Sequence, residues 1–523
     1  MFSKTRLAAT AVLCGAALAL GACGGGSEAA DTSSSSGATG APVAGGEGRI
    51  LSLSDPSSLD PAVLGNAAPI AAVVGNALYG TLLIDDATGK IEYRMAESFE
   101  STDEGATFTL KLRSGLVFSD GTPLDAEAVK FNWDRTKDPA VRSTYLAEAS
   151  LIASTEVVDS VTLKATMREP VPSFAGAVVN SSLNWIASPA ALKQGQAAFD
   201  EKPIGAGPFT LQSWTRQADL RLAKNPKYWD APKPYLDSLV VRPVSDAGQR
   251  INTVTSSGAD VAIDSNPENI DKGNSADLSV NVETLNGGFF MALNTRRAPF
   301  DDVRARQAFS AAIDLEAVNL AVYNGTTTVP ETLFTAESPL FENTPLHKTD
   351  RAKAQALFDE LAAEGKPVTF TFSAFPSTEN KSLAENIQAQ LATFKNVKVE
   401  VKVVDFAEIP ALRATYNFDV LVSSSFFRAP DPRLTTAFSA GSAANLSGIS
   451  DQQLTDALSA GRTAATDADR KAAYAKVQQR LAELTPVVYY TRATFAAIGG
   501  ANVGGLRQYG SGSLLPEEIW IKK

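Results

Sequence analysis

A chain of 523 residues exceeds the size at which one hydrophobic core keeps growing, which predicts at least two lobes. Its 44% hydrophobic and 20% charged residues are a globular composition, and 25 Phe, 11 Tyr and 5 Trp suffice to build cores and line a pocket. The net charge of −11 argues against a nucleic-acid partner, because neutralising phosphates needs clustered Lys and Arg, and we read it as solubility.

The N-terminus reads as an export signal over 1–23. Lys4 and Arg6 form a short basic stretch, and Leu7 to Leu20 is an apolar run too short to span a bilayer comfortably. It ends Leu20-Gly21-Ala22-Cys23, which resembles a bacterial lipobox, in which small residues admit the peptidase and the cysteine thiol is then lipidated. Residues 24–48 hold Gly, Ser, Ala, Thr and a few acids, with Val43 the one large aliphatic side chain, so they cannot bury enough apolar surface to order themselves. We expect a flexible tether reaching roughly 25–30 Å. Lipid at Cys23 and a globular body beyond it place the protein on the outer face of a plasma membrane. The two cysteines are Cys14 and Cys23, so the body is expected to hold no disulfide, thiolate nucleophile or cysteine metal site.

In the body, Ala106 to Arg113 alternates, with Phe108, Leu110 and Leu112 on one side, which predicts a half-buried strand. Phe118 to Pro123 is a turn, and Asp125 caps a helix carrying Val129 and Trp133. Phe209 with Leu211, then Leu220 with Leu222, read as two strands. Phe289 to Leu293 is an apolar run, and Asp301 or Asp302 caps a helix with Val303, Phe309 and Ile313 on one face. Arg351 to Ala363 is a helix with Ala354, Leu357, Phe358 and Leu361 inward. Val368 to Phe372 and Val397 to Val404 are strands around a helix through Ile387 and Leu391, an order typical of α/β lobes. Asp451 to Leu484 reads as two helices, the second carrying Tyr474, Val477 and Leu481, and Val487 to Tyr490 as a strand. Strand and helix alternate throughout, so the fold class is α/β.

Four blocks in order resemble the peptide and nickel family of extracellular solute-binding proteins of ATP-binding-cassette importers, family 5. They are Met95 to Phe99 through Leu116 to Val129; Pro203 to Phe209 ending at Asn225 to Trp229; Ala292 to Thr295 with Pro299 to Arg304 and Ala311 to Asp314; and Phe418 to Val420 with Asp431-Pro432. The resemblance implies a two-lobed periplasmic-binding-protein clamp with an additional third subdomain. Lobe I would hold 49–84, 204–290 and 488–523, the extra subdomain 85–203, and lobe II 291–487. The chain would cross between lobes near Phe289–Asn294 and near Val487–Tyr490. A peptide or related small solute would be captured between closing lobes and delivered to the importer's permease and its ATPase subunits, by a monomer with no cofactor. Lipid tethering is typical of the family in Gram-positive bacteria and agrees with Cys23.

Rival chemistry has little to build on. His347, the one histidine, sits in a polar loop among Pro345, Lys348 and Asp350, so a Ser–His triad is not expected. Zinc motifs are absent, and Ser511 in Gly510-Ser511-Gly512 lacks the nucleophile frame of a hydrolase. We therefore expect no enzyme and no metal. A secreted hydrolase, or a receptor reusing the clamp, remain the alternative classes. The resemblance also implies anchors. Dipeptide-type members hold the ligand's α-ammonium with an Asp three positions before the Asp of the Asp-Pro pair, where this chain has Arg428. They hold the carboxylate with an Arg where this chain has Ala374. We therefore expect Arg428 to meet a carboxylate or other anion, with Phe426 and Phe427 supplying apolar wall. Such a solute would be an anionic non-peptide or a chelated metal. Equally open is that Arg428 points to solvent while the phenylalanines are core.

Overall fold

The computed structural model describes residues 40–66, 71–405 and 407–523, so the export signal, Cys14, Cys23 and most of the expected tether lie outside the described residues. Among the described residues no helix is long and apolar enough to cross a membrane. The tether expected to reach 48 ends earlier. Glu47 and Gly48 already belong to the strand Glu47–Ser52, paired with Ser238 and Leu239, because a backbone ladder forms without apolar side chains.

Three larger sheets carry the architecture. The first has seven strands in the order Ser279–Thr284, Thr494–Gly499, Val261–Asp264, Glu47–Ser52, Ser238–Pro243, Leu220–Lys224 and Phe209–Trp214. Glu47–Ser52 runs parallel to both neighbours and the other pairings are antiparallel. One face packs Ile251, Val254 and Ile270 against Ala262, Val280 and Ile498. The other packs the helix Ala72–Tyr79 against Ile50, Leu222 and Val241.

The second sheet has five strands, Val397–Val403, Val368–Ala374, Val420–Phe427, Asn286–Leu293 and Val487–Thr491. The strands 368–374 and 397–403 are parallel and joined through the helix Thr378–Leu391, as their sequence pattern requires. Successive side chains of Asn286–Leu293 alternate between two cores. Met291 and Leu293 join Phe309, Phe358 and Phe370, while Phe290 and Ala292 join Leu454, Tyr474 and Val477. Both faces are therefore covered by helices, which explains why these strands read as continuous apolar runs.

The third sheet, Ala96–Glu100, Thr107–Leu112, Thr162–Met167 and Ile152–Asp159, is antiparallel throughout. Phe108, Leu110 and Leu112 face one core, in which Phe99, Trp133 and Phe174 meet edge-on or tilted. Full burial of side chains this large contributes roughly 1.5–3 kcal/mol each. Asp125 caps the helix Ala126–Thr136 through the Ala128 N–H, as expected.

Two expectations are corrected. Asp302 caps the helix Val303–Ala312, but Val303 is exposed at 37% because it stands at the first helical position, outside the packed turns. The crossings between the first two sheets fall at Leu285 and at Arg492–Ala493. The strands near Phe289–Asn294 and Val487–Tyr490, where crossings were expected, both lie wholly within the five-stranded sheet, because each continues an antiparallel ladder there.

Candidate functional site

The two crossings lie side by side. Leu285 N–H donates to Ala493 C=O at 3.0 Å, and Leu285, Ala493 and Phe495 form a small apolar cluster with Phe426 packed against it. Two adjacent single-strand connections are the arrangement in which lobes rotate by small backbone changes at few residues. On the five-stranded side the connection is anchored. Arg492 is 7% exposed and donates to the carbonyls of Gly287, Leu333 and Thr332 at 3.0, 2.9 and 2.6 Å. Burial pushes its pKa down to about 10. Gly287 has φ +68°, and a Cβ there would lie 2.0 Å from the Ser425 carbonyl oxygen, so glycine is required.

Arg428, at the end of the strand Val420–Phe427, reaches from the five-stranded side to the other. Its Nε donates to Gly510 C=O at 2.9 Å and its Nη1 to Asp86 C=O at 3.1 Å. Its Nη2 donates to the Glu283 carboxylate, and Asp85 Oδ2 lies 3.6 Å from Nε. Its side chain is 10% exposed, so the reading in which it points to solvent does not describe this structure. Asp85 itself is fixed by the Gly510 N–H at 2.6 Å. Burial pushes the Asp85 carboxyl up to about 6, with Arg428 and the Gly510 N–H pulling down and Glu283 pushing up.

Phe426 and Phe427 are neighbours on one strand and so face opposite sides. Phe427 is 2% exposed, packed edge-on against Phe334 inside the lobe, and supplies no wall of the seam. Phe426 is half-buried at the crossings, with ring centroids 5.9 Å from Phe289 and 5.5 Å from Phe495 on the other sheet. Ala374 ends its strand fully buried in the five-stranded lobe's core. Cys23 is outside the described residues.

Further along the seam, arginines of the five-stranded side again meet carboxylates of the other. Arg462 pairs with Glu169 of the four-stranded subdomain at 2.7 Å. Glu148 is pushed up by burial and pulled back down by the charge of Arg433. Two cavities lie elsewhere. One of about 570 Å³ is lined by Pro299, Asp302, Lys366 and Pro367, the other, of about 170 Å³, by Arg49, Arg221 and Arg242. Size notwithstanding, neither touches the crossings, where both lobes could act on one solute.

The residues weighed for catalysis do not assemble. His347 Nδ1 lies 3.1 Å from Ser310 Oγ, but its Nε2 faces the Thr349 hydroxyl at 3.3 Å, and among the described residues no carboxylate is hydrogen-bonded to its ring. Ser511 donates to Asn180 Oδ1 at 2.9 Å, on the other side of the crossings from His347. Among the described residues no group of three or more His, Cys, Asp or Glu side chains gathers as a metal site. Asp85, Glu283, Gly287 and Arg492 carried no local signal in the sequence, since only the fold brings them together.

Comparison with known proteins agrees with the two-lobed fold. The family model described as bacterial extracellular solute-binding proteins, family 5 Middle, matches residues 90–445. The glutathione-binding protein GsiB of Escherichia coli (strain K12) is 30% identical over 345 residues, covering 64% of this chain and 65% of that one. The chain thus spans less than two thirds of the length of the curated relatives it matches. Among solved structures, AgaA from A. tumefacien R10 in complex with agropinic acid has 24% identity and TM-score 0.77, covering 91% of this chain and 99% of that one. NikA from Brucella suis in complex with Fe(III)-EDTA has 23% identity and TM-score 0.78, covering 91% and 100%. At these identities the structures speak for the fold alone. The chain belongs to the bacterial extracellular solute-binding proteins of family 5, a family of binders and not of enzymes.

Proposed function

We propose that this protein captures a peptide or related small solute between its two lobes and delivers it to the permease and ATPase subunits of an importer. The observation that carries this reading is the pair of adjacent crossings at Leu285 and Arg492–Ala493, with Arg428 of one lobe seated in the other. A clamp hinged there closes on whatever lies along the seam, and Phe426 is its apolar wall. The lobe limits follow the first strand and the crossings: 47–84, 204–285 and 493–523 in lobe I, 286–492 in lobe II, and 85–203 as the extra subdomain. Lipid at Cys23 tethers the monomer to the outer face of the membrane, which a Cys23→Ser variant tests by its release into the medium.

The ligand reading is tested by a thermal-shift screen of the full chain against peptides, organic acids, sugars and chelated metals. A ligand at one hundred times its dissociation constant adds about 2.7 kcal/mol of stability. A peptide hit, glutathione included in view of the GsiB relatives, supports the proposal. Hits confined to carboxylate-bearing non-peptides or chelated metals favour a second reading, which rests on Arg428 at the seam. In that reading Arg428 exchanges Asp85 and Glu283 for the solute's carboxylate.

A further inference from the structure

The acceptors around Arg428 form a socket independent of it. Asp85 ends the strand Leu83–Asp85, Glu283 lies in the strand Ser279–Thr284 beside the crossing, and Gly510 lies in the turn before the strand Ser513–Leu514. All are on the side of the seam opposite Arg428's own sheet. Asp85 and the Gly510 turn are held without its help: the Gly510 N–H fixes one Asp85 oxygen at 2.6 Å, and Ser511 beside it is tied to Asn180 at 2.9 Å. Two carboxylates and two carbonyls thus converge on one planar cation. Among the described residues, Asp85 and Glu283 are the charged groups paired with it, both on the opposite side of the seam.

We propose that this socket is the subsite for a cationic group of the solute, a guanidinium or a side-chain ammonium, and that Arg428 is a tethered stand-in which the solute displaces. The inference rests on the reading that solute binds between the lobes, and it names the solute's charge. Rotation about the crossings draws Arg428 away from Asp85 and Gly510. It would leave two carboxylates, Asp85 and Glu283, facing each other without the cation now between them. Carboxylates sharing one site repel, so the open clamp favours a cation between them. Burial already pushes Asp85 up to about 6 with Arg428 in place, so its carboxylate depends on a neighbouring cation to stay ionised near neutrality. Phe426 on the arginine's strand and Phe289 on the neighbouring one, the latter 36% exposed, suit the aliphatic stem that carries such a group. A solute carboxylate brought to the same place would face Asp85 and Glu283 as well as Arg428.

The test is calorimetric titration of the full chain with three tripeptides of one length carrying a neutral, a basic or an acidic central residue. The basic peptide should bind tightest, and Arg428→Ala should tighten it by about tenfold while changing the neutral peptide far less, because the competitor is gone. Adding Glu283→Gln should erase the preference. Weaker binding of the basic peptide to Arg428→Ala, or preference for the acidic one, overturns the proposal. If no tripeptide binds, the peptide reading of the cleft falls separately, and methylguanidinium decides the socket. Saturable stabilisation of Arg428→Ala that is lost in Arg428→Ala/Glu283→Gln supports it, and no stabilisation of Arg428→Ala overturns it.

Discussion

Arg250 and Arg428 are both arginines buried against carboxylates, yet they do different work because of where their partners come from. Arg250 and Asp264 are 3% and 1% exposed and meet at 3.0 Å. Arg250 also donates to the carbonyls of Val244 and Ser245, and Asp264 also accepts from Asn269 and the backbone of Ser265 and Asn266. Every partner belongs to the seven-stranded lobe, so the pair can be broken only by unfolding it. Arg428 takes its partners from the other side of two crossings, so its contacts can be broken by rotation while both lobes stay folded. The same chemistry is structural in one place and conformational in the other.

The largest effect should come from breaking the rigid pair. Arg250→Ala leaves Asp264 buried without its cation, which costs about 3–5 kcal/mol. Denaturant unfolding should show that loss equally with and without ligand. A loss under about 1 kcal/mol would mean the pair is solvated and the contrast with Arg428 false.

Acidity probes the Arg428 cluster next. Burial raises Asp85 from its ordinary 3.8 to about 6. The folded chain therefore holds that proton more tightly than the unfolded one, and the stability contributed is full below the unfolded pKa and lost as pH rises through about 6. For one group this amounts to about 3 kcal/mol across the interval. Asp85→Asn should flatten the pH dependence of the unfolding free energy between roughly 4 and 6. Glu148, Asp431 and Glu517 are raised in the same direction by burial, so the difference between variant and wild type is the quantity to read. Identical slopes would mean that Asp85 is solvated and the socket open to water.

A smaller change is expected for Arg428→Ala, about 1–2 kcal/mol of stability, since the lobes can part and water can reach Asp85 and Glu283. Its signature is shape. X-ray scattering should show a larger radius of gyration than wild type, whereas Arg250→Ala should not change the native radius. An unchanged radius would remove Arg428 as a contact that holds the lobes.

Much of the fold was legible because each lobe repeats a periodic pattern locally. The alternation of Phe108, Leu110 and Leu112, the Asp125 cap and the strand–helix–strand run from Val368 to Val403 each depend on neighbours in sequence. The seam was legible only as one residue. Arg428 stood out beside Asp431-Pro432, but its partners Asp85, Glu283 and Gly510 are distant in the chain and look like an ordinary turn, an ordinary strand and a glycine-rich loop. Reading Phe426 and Phe427 together as wall overlooked strand alternation, which sends one of any two neighbours inward. The crossings were misplaced by a few residues because the strands continue past the family's blocks, and hydrophobicity does not mark where a ladder changes sheet.

Exposure should decide how much a seam contact matters, and Arg462 is the case that isolates it. It repeats the Arg428 pattern, an arginine of the five-stranded lobe reaching a carboxylate across the seam, but Glu169 is 46% exposed where Asp85 is 4%. Water and salt screen the exposed pair, and holding two long side chains together opposes much of what remains, so it contributes under about 1 kcal/mol. Arg462→Gln should therefore leave stability nearly unchanged, and its small effect on the radius should vanish in about 0.5 M salt, where the screening length is only a few ångströms. The Arg428 effect should persist there, because its partners lie behind protein. If salt abolishes both alike, burial gives Arg428 no special hold on the lobes, and the seam closes by long-range charge alone.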